Sequence, residues 1–174
     1  MPVFVVCSFC TPQLRAAAMP PGTGSGPAMD KAGYRAHKGW PRALFYFIQF
    51  TWGLSVNLAG LLVFLCCRLR FPSKRFCNGI VTYLPGNSGG LSLGIFLFAS
   101  IPDSARSGLC AHEYGHTIQC LFLGPLYWIV IAIPSLIWRC FFEGYRKKRH
   151  ISYDSLYCER WATAWGHRWS GIGD

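Results

Sequence analysis

The stretch that most limits what this chain can fold into runs from Ala43 to Cys67, 25 residues without a charged side chain. A bilayer-crossing helix needs about 20 predominantly apolar residues. Arg42 and Arg68 bracket the run, and Trp40 and Trp52 stand where interfacial aromatics stand. The run is expected to form one membrane helix over 43–67, with Ser55, Gln49 and Asn57 facing other helices rather than lipid. Composition points the same way. The chain is 52% hydrophobic and 14% charged, against about 25% charged residues in an average soluble domain. Its net charge of +10 comes from basic residues beside apolar runs. No recognition-helix pattern and no aromatic-basic RNA motif accompanies them, so nucleic acid is not an expected partner. The expected partner is the lipid bilayer.

The remaining segments give an organisation. Residues 1–28 open on a short apolar run and continue in Ala, Pro and Gly. They read as a disordered or mis-assigned extension, with Met29 as the alternative start. Cys7 and Cys10 form a lone CxxC with no second pair, which carries neither a zinc nor a redox reading. Cys66, Cys67, Cys110, Cys120 and Cys140 lie in or beside apolar runs and read as small buried hydrophobes. Residues 29–174 are expected to form a single membrane domain. Within it, 76–98 contains two β-rich runs, Ile80–Leu84 and Leu91–Phe98, separated by Pro85-Gly86-Asn87-Ser88-Gly89-Gly90. That turn composition predicts one β-hairpin. An open hairpin cannot face lipid, so it must be covered, line a wet cavity or sit at the interface.

A helix is expected over 104–123, with Asp103 or Ser104 as its N-cap and Gly124-Pro125 ending it. A membrane helix over 126–142, kinked at Pro134, should follow. Thr117–Trp138 is uncharged for 22 residues, so part of this helix pair belongs in the membrane. Arg146, Lys147, Lys148, Arg149 and His150 then form a basic cluster, which favours the cytoplasmic side. The basic residues around 43–67 number four on each side and orient nothing. The Tyr- and Trp-rich segment 153–166 reads as a short interfacial helix.

The segment 104–123 carries the chemistry. It contains Gly108-Leu109-Cys110-Ala111-His112-Glu113-Tyr114-Gly115-His116-Thr117-Ile118-Gln119. Residues four apart on a helix share a face, so His112 and His116 present their imidazoles to one point. Glu113 stands one residue on, in reach of a water held there. Zinc takes three protein ligands in a catalytic site, keeps a fourth place for water and lowers that water's pKa to about 7. Glu159 leads the candidates for the third ligand, because a carboxylate among Tyr157, Cys158, Trp161 and Ala162 needs a partner. Arg160 is the competing partner for it. Asp154 and His150 are weaker ligand candidates, and Glu143 reads as a simple interfacial residue. Gln119 lies three residues after His116. It is placed to hydrogen-bond a ligand, a water or a substrate carbonyl, or to join two helices.

The HEYGHTIQ segment, followed by Glu159, Ala162 and Gly166, resembles the gluzincin-type zincins, in which a later helix supplies a glutamate ligand. The form is similar to that of bacterial neutral zinc metallopeptidases, and the downstream LGPLYWIVIAIPSLIW to that of small bacterial membrane proteins with this motif. The resemblance covers roughly Leu109–Gly166. It implies zinc as cofactor, His112, His116 and Glu159 as ligands, and Glu113 as general base. One position departs: such zincins often place Asp four residues after the ligand Glu, to brace a ligand His, and here that residue is Thr163. Site-2 intramembrane proteases are similar in carrying HExxH on a membrane helix near a hairpin. Their later Asp ligand has no counterpart here, since Asp154 and Asp174 lie outside the apolar spans.

The expected fold is therefore mainly α: two to three integral membrane helices, one β-hairpin and a zincin-type HExxH helix. The expected function is zinc-dependent hydrolysis of a peptide or protein substrate in a membrane, the bacterial inner membrane, with the 146–150 cluster cytoplasmic. The hairpin would offer an edge strand to an extended substrate. The alternative is a non-catalytic membrane protein whose metal site is structural or vestigial, acting as an assembly or scaffold subunit. A transporter is disfavoured, since no inverted repeat is visible.

Overall fold

The computed structural model describes residues 41–100 and 106–171. The expectations for residues 1–28, for Trp40 and for a cap at Asp103 or Ser104 fall outside the described residues. Within them the chain is mainly helical, with one small mixed sheet of four strands.

The uncharged run does not make one straight helix. It breaks at Trp52-Gly53 into α1 (Arg42–Thr51) and α2 (Leu54–Arg68), bent by 93°. The cause lies in the run's own polar residues. The Asn57 side-chain amide donates to the Gln49 carbonyl, the Gly53 carbonyl and Gln49 Oε1 at 2.9, 2.9 and 2.8 Å. Gln49 Nε2 in turn donates to the Thr117 carbonyl at 2.9 Å. Buried amides must be hydrogen-bonded, and here they are satisfied by wrapping the chain around Asn57. A Cβ at Gly53 would lie 2.9 Å from the Gln49 carbonyl oxygen, so the break needs a residue without one.

The expected pairing of Ile80–Leu84 with Leu91–Phe98 as one hairpin is also overturned. The segment forms β1 (Ser73–Phe76), β2 (Gly79–Tyr83), β3 (Gly89–Leu93) and β4 (Phe96–Ser100), in the spatial order β1-β2-β4-β3. β1 and β2 are antiparallel, as are β3 and β4, and the two hairpins join through the parallel pair β2–β4. The run Leu91–Phe98 divides because Gly94 sits in the left-handed region at φ +64 and turns the chain. Asn57 holds that turn by accepting from the Ile95 N–H at 2.9 Å. The Pro85–Gly90 stretch is thus a link that carries the chain past β4, not a hairpin turn. β4 is buried along its whole length, and β3 is left as an edge.

Helix α3 (Arg106–Leu123) packs on this sheet, and Phe45, Val81, Leu97, Phe98, Ile118 and Leu121 share one core with it. The helix expected over 126–142 is three pieces. A 3-10 turn (Gly124–Leu126) and a π turn (Trp128–Ala132) precede α4 (Ile133–Cys140). Pro134 has no N–H to give to the preceding turn, which suits the widened ladder just before it. The α3 and α4 arms are bent by 119°. Among the described residues no single helix is long and apolar enough to cross a membrane, though each bent pair reaches that length and composition together.

The chain closes with α5 (Glu143–Arg149), a 3-10 turn (Tyr153–Ser155) and α6 (Tyr157–Ser170). α6 differs from the surface helix expected over 153–166. Its Cys158, Glu159, Ala162, Gly166 and Ser170 are buried, and only the opposite face, with Tyr157 and Trp161, stays exposed. Cys67, Cys110 and Cys120 are buried, whereas Cys66 and Cys140 are exposed, contrary to their expected role as small core residues.

Candidate metal centre

The site is made by the crossing of α3 and α6. Small residues one turn apart line both helices: Ala111 and Gly115 on α3, Ala162 and Gly166 on α6. A Cβ at Gly115 would lie 1.8 Å from the Ala162 carbonyl oxygen, and one at Gly166 would lie 1.9 Å from the Ala111 carbonyl oxygen. The two backbones therefore touch. Glu159 precedes Ala162 by three residues, so this contact delivers its carboxylate to the face of α3 that carries His112 and His116.

The three side chains converge. Glu159 Oε2 lies 3.1 Å from His112 Nε2 and 3.3 Å from His116 Nε2. One ligand atom from each residue falls within 4.8 Å of the others, and the group can hold a metal ion. Glu159 is the most deeply buried, with 1% of its side chain exposed, against 13% for His112 and 8% for His116.

The ring protons can be placed from the partners on the far side of each imidazole. Gln119 Nε2 donates to the Cys158 carbonyl at 2.8 Å, which turns Gln119 Oε1 towards His116 Nδ1 at 2.7 Å. That oxygen only accepts, so His116 carries its proton on Nδ1. Thr163 Oγ1 donates to the Glu159 carbonyl at 3.2 Å and so accepts from His112 Nδ1 at 2.8 Å. In both neutral rings the Nε2 lone pair then faces the Glu159 carboxylate with no hydrogen between them. Three converging lone pairs repel unless a cation sits among them. The two Glu159–His spacings suit a metal, since tetrahedral bonds of about 2.0–2.1 Å place donor atoms about 3.3–3.4 Å apart. In the metal-free state a proton serves instead. Burial alone would raise the Glu159 pKa, yet the proton shared with the His112 and His116 rings outweighs it and holds the carboxyl well below the usual carboxylate range.

Glu113 lies beside this cluster and is 5% exposed. Its carboxylate presses on β3: a Cβ at Gly90 would lie 2.1 Å from Glu113 Oε1. Tyr153 stands nearby, its hydroxyl 3.1 Å from Ser135 Oγ. Burial and then the Glu159 charge push its phenol up, so it stays protonated.

The other sequence candidates stay out of the group. Asp154 and His150 are exposed. Glu143 is exposed and pairs with Lys147 at 2.7 Å. Arg160, the rival partner for Glu159, instead donates to the Ser155 carbonyl at 3.1 Å. Gln119 does two of the things considered for it, since it braces His116 and ties α3 to α6. Thr163 occupies the bracing position on His112.

Four residues of the site were given no structural role in the sequence reading. Gly115 and Gly166 set the helix approach, and their signal was the pair of small residues at spacing four on each helix. Gly90 makes room for Glu113, and Arg139 donates from α4 to the Gly90 carbonyl at 3.0 Å. Neither of these had a local signal, because both act across the fold. Comparison with known proteins returns no matching family model, no matching curated protein and no matching solved structure.

Proposed function

We propose that the chain is a membrane-embedded, zinc-dependent metalloprotease that hydrolyses peptide bonds. The observation that carries this reading is the convergence of His112 Nε2, His116 Nε2 and Glu159 Oε2, with a second buried carboxylate, Glu113, alongside. Two imidazoles and one carboxylate form a donor set that suits zinc, and three protein ligands leave a place open. Zinc in such a set supplies Lewis acidity and a water acidic enough to attack a peptide carbonyl near neutral pH. Glu113 is the group that orients that water, takes its proton and returns it to the leaving amine. Gln119 and Thr163 keep the rings turned so that both Nε2 atoms face inwards. The resemblance of the HEYGHTIQ segment to gluzincin-type zincins supports the same roles.

The membrane part rests on exposed apolar surface. Leu54, Leu58, Leu62, Leu65 and Leu69 lie exposed along one side of α2 and its end. Phe122, Leu126, Ile129, Ile133 and Ile137 are exposed on the 122–137 arm. Trp52 Nε1 donates to the Phe122 carbonyl and Trp128 Nε1 to Ser55 Oγ, at 3.3 and 3.1 Å, so the two strips adjoin. Exposed apolar patches of this extent mark membrane or protein contacts. We place this band against lipid, in a bacterial inner membrane, with the basic α5 at the cytoplasmic interface.

A second reading, a membrane scaffold subunit with a structural metal site, is favoured by Thr163, which cannot raise imidazole basicity as a carboxylate would. One assay separates the two. Zinc-loaded wild type and Glu113→Gln, purified in detergent, are compared on an unstructured protein such as casein. The protease reading expects both to hold zinc and Glu113→Gln to cut about 10²–10⁴-fold more slowly. Zinc-loaded wild type that cuts no faster than Glu113→Gln would leave the scaffold.

A further inference from the structure

The β3 edge above Glu113 is closed by the chain's own side chains. Successive residues of a strand turn their carbonyls to opposite sides. On β3, Gly89, Leu91 and Leu93 face β4, so the carbonyls of Ser88, Gly90 and Ser92 point outwards. All three have partners from the 124–140 arm. Arg139 Nη1 donates to Gly90 O at 3.0 Å and Arg139 Nη2 donates to Ser88 O. Tyr127 donates its hydroxyl to Ser92 O at 3.3 Å. An edge strand whose outward acceptors are taken cannot add a further strand.

The two caps differ. Tyr127 is 3% exposed and belongs to the core. Arg139 is half-buried at the end of a long, rotamer-rich side chain, and its Ser88 contact lies at the surface. Loss of Arg139 alone would thus open the edge at Ser88–Gly90 and nowhere else. That is the part against Glu113. Gly89 and Gly90 carry no side chains there, so a second backbone could approach closely.

We propose that Arg139 is a displaceable latch on the β3 edge. Its guanidinium holds the acceptors that an extended peptide needs, and a peptide reaches Glu113 and the His–Glu cluster only when the latch is released. This rests on the peptide-hydrolysis reading of the same site and adds its regulation.

The test uses binding, so it does not depend on turnover. The full chain, zinc-loaded in detergent and carrying Glu113→Gln, is titrated into a fluorescein-labelled extended peptide rich in Val and Thr. Adding Arg139→Ala should tighten binding about tenfold or more. Arg139→Lys, which has one nitrogen where Arg139 uses two, should lie between. Zinc content and thermal unfolding check that each variant is folded. If Arg139→Ala fails that check, Arg139→Lys carries the test in its place, with a smaller tightening expected. Binding that is unchanged, weaker or absent in the folded variants would overturn the latch. Wild type that binds zinc but never cleaves would sink the protease reading instead, and the latch would still be judged on binding.

Discussion

Two contacts meet at the same cluster and are built in opposite ways. α3 and α6 touch backbone to backbone at Gly115 and Gly166, where a methyl group would collide with a carbonyl. α4 reaches β3 through one long side chain, Arg139. A contact between main chains has one geometry, because neither side has a rotamer to change. A contact through a guanidinium has many alternatives and forms at an entropic cost. The first arrangement suits ligands that must keep a fixed spacing; the second suits a surface that has to open. The molecule holds its His–Glu set rigidly and covers the way in loosely.

This contrast can be broken most forcefully at Gly115. Gly115→Val puts a branched side chain where the Ala162 carbonyl lies at 1.8 Å from the Cβ position. Overpacking costs about 1–3 kcal/mol, occasionally more, and a backbone neighbour that cannot rotate away puts this site at the upper end. Denaturant unfolding should show that loss, and zinc binding should go with it. Arg139→Ala in the same assay should shift stability by less than about 1 kcal/mol. Equal losses in the two variants would erase the distinction.

The braces behind the imidazoles sharpen the comparison with a smaller effect. Gln119→Leu leaves His116 Nδ1 without its acceptor and should weaken zinc binding about 10–100-fold, the usual cost of losing a ligand's support. Thr163→Asp should act in the other direction on His112, by up to about tenfold. Competition against a fluorescent zinc chelator measures both. Protons and zinc compete for the same Nε2 lone pairs, so affinity in every variant should fall as the pH is lowered.

The candidate site was more legible in the sequence than the fold. His112 and His116 follow from helical spacing, and Glu159 from the difficulty of burying a carboxylate among aromatics. Both inferences are local, so tertiary structure had little room to overturn them. The helix over 43–67 failed because Asn57 was assigned, like Gln49, to neighbouring helices; Gln49 does bond to one, at the Thr117 carbonyl. Asn57 instead turned back on Gln49 and Gly53 of its own segment. The hairpin failed because Gly94 was read as part of a strand, while the turn at Pro85–Gly90 drew the pairing to itself. Its left-handed φ depends on Asn57, 37 residues earlier (94 − 57), which no window along the sequence connects. Arg139 was given no role from the sequence, because its partners on β3 lie about 50 residues away.

The central claim is that His112, His116 and Glu159 form one metal site. It is tested most directly by the zinc content of detergent-purified, zinc-reconstituted wild type beside His116→Ala and Glu159→Ala. The account predicts about one zinc per chain in wild type and loss of it in both variants. Wild type without zinc, or Glu159→Ala holding as much as wild type, would contradict it.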